Sequence, residues 1–111
     1  MAVTMWVSVP LERARDIIEN AVRNSITGEC IGRHVISTPD GKRCEVNIYE
    51  KHYYRAGNRL TLTAVIDDYE PYTRVYLLGG GGGQGLFRFD WGAAGSFESV
   101  VEKALRPYSI G

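Results

Sequence analysis

The sequence predicts an α+β domain in which a single antiparallel sheet of five to six strands carries two helices on one face. Segments with alternating apolar residues fill the middle of the chain, and one amphipathic helical pattern lies near each end. Strands that follow one another without a helix between them are typical of antiparallel pairing, since parallel neighbours need a long crossover. The expected element order is one strand, one helix, four or five strands and a final helix.

Chain length and charge limit the classes of function. The 111 residues predict one domain, residues 1–111, with an ordinary apolar content of 44%. The 13 basic and 13 acidic residues give a formal net charge of zero. Nucleic acids and anionic membranes are bound through an excess of Lys and Arg, so we expect neither as a partner. The sequence shows no signal-peptide pattern and no apolar run of about 18 residues, so the expected location is the cytoplasm.

Periodicity predicts the first strand and both helices. Residues 4–9 alternate, and Pro10 suits the first turn of a helix that Ser8 is expected to cap and that ends near Gly28. The apolar stripe of this helix consists of Leu11, Ala14, Ile18, Ala21 and Val22. Ser96 is expected to cap the final helix, and Pro107 to stop it. The stripe of the final helix consists of Phe97, Val100, Val101, Ala104 and Leu105.

A tight turn at Pro39-Asp40-Gly41 predicts the first hairpin, because proline presets φ and glycine accepts positive φ. If this turn pairs Thr38 with Lys42, then His34 faces Val46 and Cys30 faces Glu50. Along the following segment, residues 59–67, strict alternation places four apolar side chains on one face: Leu60, Leu62, Ala64 and Ile66.

The second hairpin allows two registers, which turn opposite faces of segment 43–54 toward the helices. A three-residue loop at 56–58 pairs His52 with Leu62 and points Glu50, His52 and Tyr54 inward, in line with Cys44, Val46 and Ile48. A two-residue Gly57-Asn58 turn instead brings Tyr49 and Tyr53 inward and leaves Glu50 and His52 in solvent.

Two candidate functional sites follow from the first register. One is a ligand-binding or acid/base site at the mouth of a cavity under the first helix: Glu50, His52 and Tyr54. The other is an interface for a protein partner or a second copy on the opposite face: Tyr49, Tyr53, Thr61, Thr63 and Val65. A Glu–His contact at the end of a sheet is more often structural than catalytic. We therefore favour a non-enzymatic module that acts through the interface, and keep a small-molecule binding protein or minor enzyme as the alternative.

The glycine run Gly79–Gly83, together with Gly85, contains a formal match to the dinucleotide-binding fingerprint, Gly80-x-Gly82-x-x-Gly85. That fingerprint needs a helix that starts among the glycines, whereas the alternation in residues 87–91 predicts a strand. We therefore expect the run to be a bend or a point of close backbone approach, and we expect no cofactor.

No metal site is expected. Cys30 and His34 are about 13 Å apart on an extended strand, too far to share a zinc ion. Cys44 is interpreted as a small core residue, and the acidic segment 67–70 as a solvated turn, because it lacks the glycine of a calcium loop.

Three segments resemble small uncharacterised bacterial proteins of a domain-of-unknown-function family: residues 46–63, the glycine run and residues 90–105. The predicted element order also resembles the repeat of the TATA-box-binding protein and small helix-grip domains. The first likeness implies a sheet face that binds partners, although the balanced charge argues against DNA. The second implies an apolar ligand between helix and sheet, for which this short chain leaves little room.

Overall fold

The computed structural model describes residues 2–24, 28–53, 58–81 and 97–110. It contains β1 (Ala2–Val7), α1 (Leu11–Arg23), β2 (Glu29–Ser37), β3 (Arg43–Tyr53), β4 (Asn58–Asp67), β5 (Thr73–Gly81), α2 (97–105) and a short 3-10 helix (Arg106–Tyr108). The strands form one antiparallel sheet in the order β1-β5-β4-β3-β2. This confirms the predicted α+β class and the order of elements, with four described strands between the two helices.

Helix α1 carries the chain across one face of the sheet, from the edge strand β1 to the edge strand β2. It begins at Leu11 directly after Pro10, and no side chain caps its first turn, so the predicted cap by Ser8 is wrong. The Ser8 backbone N–H instead donates to the Tyr108 carbonyl at 2.8 Å. The helix ends at Arg23, before the predicted end near Gly28.

The core lies between the sheet and the two helices. The predicted α1 stripe is buried throughout, as are the four alternating residues of β4. Helix α2 buries Phe97, Val101 and Leu105 on the same side, whereas Val100 is 43% exposed. Each buried Val, Leu, Ile or Phe stabilises the fold by about 1.5–3 kcal/mol, so this single layer of contacts holds both helices on one face.

The hairpin that joins β2 to β3 follows the prediction except at one end. The Thr38 N–H donates to the Lys42 carbonyl at 2.8 Å, and Gly41 adopts a φ of 88° in the turn. His34 faces Val46, as predicted, but Cys30 faces Tyr49 rather than Glu50. A β-bulge between Cys30 and Gly32 inserts one extra residue and shifts the pairing.

The hairpin that joins β3 to β4 has neither predicted register. Tyr53 pairs with Asn58 and His52 with Arg59, so four residues separate the paired strands. The three-residue loop would have turned the even-numbered residues of β3 toward the helices, and that prediction is wrong. The alternative two-residue Gly57-Asn58 turn correctly predicted that Tyr49 points inward, but the observed connection has four residues. Cys44 accordingly lies on the face away from the helices, and the prediction that it is a core residue is wrong.

Candidate interaction surface

The sheet face turned away from α1 and α2, here called the outer face, is built by alternate residues of all five strands. Strand register places them in rows. The first row is Trp6, Arg74, Asp67, Cys44 and Ile36; the second is Thr4, Tyr76, Val65, Val46 and His34; the third is Ala2, Leu78, Thr63, Ile48 and Gly32. The middle of the face is therefore aliphatic and aromatic.

Large apolar side chains on the outer face remain accessible to solvent. Trp6 is 43% exposed, Leu78 is 41% exposed and Ile36 is 46% exposed. Tyr76 and Val65, near the centre of the face, are partly exposed. Contiguous exposed apolar surface of this kind marks interaction sites more often than isolated exposed residues do.

Most charges on the outer face are paired with each other. Arg74 Nε donates to Asp67 Oδ2 at 2.9 Å, and this contact raises the pKa of Arg74. Arg59 Nη1 lies 3.8 Å from Glu50 Oε2 in a second ion pair. Apart from Glu29, which lies opposite Glu50 on β2, the outer face therefore presents ion pairs rather than an excess of one sign.

The predicted interface residues divide between two locations. Thr61, Thr63 and Val65 lie on the outer face, where the sequence placed them. Tyr49 does not, because its side chain is fully buried between β3 and α1. Tyr53 pairs through its backbone with Asn58, and its side chain lies outside the described part of the structure.

The predicted ligand or acid/base residues are not under α1. Glu50 faces Thr61 and His52 faces Arg59, both on the outer side of the sheet. Tyr54 lies outside the described residues. The prediction of a cavity that joins Glu50 and His52 beneath the first helix is therefore wrong.

A network of polar side chains fills the space between α1 and β3 instead. Arg15 Nη1 donates to Glu45 Oε2 at 2.8 Å, and Asn47 Nδ2 donates to Glu45 Oε1 at 3.2 Å. From β2, Arg33 Nε donates to Asn47 Oδ1 at 2.6 Å. Glu45 and Asn47 are 2% and 0% exposed, so these contacts satisfy groups that would otherwise be costly to bury.

The same network continues along the helix to Tyr49. Its hydroxyl donates to Glu19 Oε2 at 3.2 Å, and Arg33 forms an ion pair with the same carboxylate. Next to it, a hollow of about 210 Å³ opens between α1 and β2 and is lined in part by Val22, Gly28 and Cys30. Sequence reasoning missed this network: Arg15 and Glu19 share one helix face at a spacing of four residues, but that spacing does not identify their partners on β3.

The described glycines of the run, Gly79 to Gly81, belong to the sheet. Gly79, Gly80 and Gly81 continue β5 and pair with Leu62, Thr61 and Leu60. A Cβ on Gly80 would lie 3.4 Å from Thr61 Oγ1, at the short end of ordinary contact, so the expected crowding is not found there. Gly82, Gly83, Gly85 and the strand predicted at 87–91 lie outside the described residues.

Within residues 2–24, 28–53, 58–81 and 97–110, no three His, Cys, Asp or Glu side chains are grouped so that they could hold a metal ion. Both cysteines are free thiols, and burial raises the pKa of the partly buried Cys44. Asp67, predicted to lie in a solvated turn, is 5% exposed at the end of β4. No helix in the described part of the chain has the length and apolar character needed to cross a membrane.

Fold and outer face together define a small α+β domain with helices on one side of its sheet and an exposed apolar face on the other. The chain belongs to DUF6054, a family of unknown function, whose family model matches residues 2–109. No significant match to this chain was found among the curated proteins or among the solved structures.

Proposed function

We propose that this protein is a small, non-enzymatic, cytoplasmic module that self-associates through its outer face, with a second copy of the chain as the occupant. The observation that carries the proposal is the exposed apolar surface centred on Val65 and Tyr76 and bordered by Trp6, Leu78 and Ile36. A monomeric protein rarely leaves a surface of this kind in water.

The size of the face is sufficient for a weak to moderate dimer. Five strands about 4.8 Å apart, with three rows that each occupy about 6.8 Å along the strands, give about 490 Å² per copy. Two copies would bury about 1,000 Å², at the lower bound of specific protein interfaces. We therefore expect association that depends on protein concentration.

Charge favours an identical copy over a charged partner. Within each of the two ion pairs on the face, Arg74–Asp67 and Arg59–Glu50, the opposite charges neutralise each other. A nucleic acid or a strongly acidic protein would gain little from such a surface, whereas a second copy brings no repulsion. Thr61 and Thr63 add small side chains that allow the two sheets to approach closely.

A reducing compartment is the location that suits the cysteines. Cys30 is an exposed free thiol, and Cys44 lies on the other face of the sheet. Exposed unpaired thiols are typical of cytoplasmic proteins, because oxidising compartments favour disulfides.

The test compares arginine substitutions at two equally exposed apolar residues. Leu78 is 41% exposed on the outer face, and Val100 is 43% exposed on α2. Sedimentation equilibrium should show self-association of the wild type, at least tenfold weaker association for Leu78→Arg, and unchanged association for Val100→Arg. A tenfold weaker association corresponds to about 1.4 kcal/mol. An unpaired charge buried in the interface costs at least this much.

Two results would contradict the proposal. One is a wild type that remains monomeric at the highest soluble concentration. The other is equal weakening by Leu78→Arg and Val100→Arg, which would place the contact elsewhere or show a general effect on folding.

A further inference from the structure

The two edges of the sheet differ in what the chain itself places beside them. At the β1 edge, the Ile110 N–H donates to the Trp6 carbonyl at 2.9 Å, and Ser109 pairs with Val7. At the β2 edge, no described residue pairs with the side of the strand that faces away from β3. Among residues 2–24, 28–53, 58–81 and 97–110, strand β2 therefore has an open row of backbone donors and acceptors.

Exposed aliphatic side chains accompany this open edge. Ile31 is 51% exposed, and Val35 and Ile36 are each 46% exposed. An exposed, apolar edge strand is a template for pairing with another strand. Val35 and Ile36 point to opposite faces, so a paired strand would cover apolar surface on both sides of the sheet.

The direction of the hydrogen bonds shows which residues of β2 are available. The Thr38 N–H donates to the carbonyl of Lys42, the residue directly before β3, so the backbone groups two and four residues earlier, at Ile36 and His34, also face β3. The backbone N–H and C=O groups of the residues between them point away from the sheet: Arg33, Val35 and Ser37.

The regular part of this edge is symmetric about Val35. The bulge at Ile31 ends it on one side and the turn at Pro39 ends it on the other, each four residues from Val35. A two-fold axis at Val35 pairs Arg33 with Ser37 of the partner subunit. An axis at Arg33 would instead place two like charges opposite each other and would bring the bulge into the pairing.

We propose that two copies of the chain join through antiparallel pairing of their β2 edges, with Val35 opposite Val35 of the partner subunit. The pairs of Arg33 with Ser37 on either side exchange backbone hydrogen bonds in the same way. The result is one continuous sheet with all helices on one side and the two outer faces side by side on the other. This contact uses no residue of the outer-face rows except at the β2 border, and it does not depend on the proposed function.

Disulfide trapping tests the register. In a Cys30→Ser, Cys44→Ala background, Val35→Cys should give a disulfide-linked dimer under mild oxidation, because directly opposite Cα atoms about 5.5 Å apart suit a disulfide. Ile31→Cys is the matched control, since it is similarly exposed but has no counterpart at the axis. Arg33→Cys and Ser37→Cys should link to each other when mixed, and neither should link efficiently to itself.

Equal trapping of Val35→Cys and Ile31→Cys would overturn the inference, as would efficient self-linking of Ser37→Cys.

Sedimentation separates this contact from the outer-face contact. Val35→Pro removes an N–H that points away from the sheet, so it should block edge pairing without loss of a bond to β3. If both contacts form, the mass of the assembly should halve for Val35→Pro or for Leu78→Arg. It should fall to the mass of a monomer when the two substitutions are combined.

An unchanged mass for Val35→Pro overturns the edge inference, whereas an unchanged mass for Leu78→Arg contradicts the proposed function alone. If only the edge contact exists, Val35→Pro by itself yields the monomer.

Discussion

The Tyr49 side chain is fully buried between β3 and α1, and its hydroxyl donates to Glu19 Oε2 at 3.2 Å. Burial, more than any neighbouring charge, raises the pKa of Tyr49 well above its ordinary value. Ionisation of this phenol would place a charge in the core beside a carboxylate. The folded protein therefore keeps the proton at pH values where the unfolded chain loses it.

This difference predicts a loss of stability at alkaline pH. Since the folded pKa is the higher one, the contribution of Tyr49 is complete below the unfolded value of about 10 and decreases above it. The decrease amounts to at most about 1.4 kcal/mol per pH unit for one proton. Chemical denaturation between pH 8 and 11 should show a shallower alkaline decline for Tyr49→Phe than for the wild type.

Tyr72→Phe is the control, because Tyr72 is 53% exposed. It should leave the alkaline decline as it is in the wild type. Identical declines for Tyr49→Phe and the wild type would show that the buried phenol does not determine this behaviour.

At the scale of elements, α1 is fastened to the sheet by polar contacts as well as by its apolar stripe. The side chain of Arg15 is 24% exposed, and that of its partner Glu45 is 3% exposed. Arg43 and Glu12 form a second ion pair between β3 and α1, but with 33% and 48% exposure it is much closer to solvent. The two pairs join the same elements at different depths.

The depth difference predicts different costs. Arg15→Met leaves the Glu45 carboxylate buried without its cation, which should lower the free energy of unfolding by about 2–3 kcal/mol. This is below the value for a fully buried pair, because Arg15 retains contact with water. Arg43→Met should cost less than about 1 kcal/mol, as exposed pairs do. Urea titration of both variants measures the difference.

The double variant Arg15→Met, Glu45→Met should recover part of the loss, because it removes the uncompensated charge. A double variant less stable than Arg15→Met would contradict this explanation and would point to Asn47, which donates to Glu45, as the more important partner.

Some elements were predicted correctly because their pattern of apolar residues is compatible with only one structure. In β4, Leu60, Leu62, Ala64 and Ile66 alternate with polar or smaller residues, and all four are buried. The α1 stripe was equally clear. The open meander of β2 to β5 followed from short connections, which favour antiparallel neighbours.

Strand β3 was assigned the wrong face because both of its faces carry apolar residues. Val46 and Ile48 alternate with Asn47 and Tyr49. Because Glu and Asn side chains usually face solvent, the face that carries Glu45 and Asn47 was predicted to point outward, which is wrong. Partners distant in sequence, Arg15 and Arg33, make the burial of these polar groups favourable. Local pattern contains no information on such partners, and the candidate sites at Glu50, His52 and Tyr49 were misplaced with the face.

For the whole molecule, placement of both helices on one side of the sheet is the feature from which function is inferred. Among the described elements, a sheet of five strands with α1 and α2 on the same face leaves the other face to a partner or to water. Val46 and Val65 lie opposite each other near the centre of that face, with Tyr76 beside Val65. Their methyl groups are the most direct reporters of whether the face is covered.

The decisive measurement is the attenuation of the Val46 and Val65 methyl NMR signals by a soluble paramagnetic probe, recorded at low and high protein concentration. The outer-face contact predicts strong attenuation in dilute samples and protection in concentrated ones, with protection lost in Leu78→Arg. Methyl signals that are attenuated equally at every concentration would contradict the account.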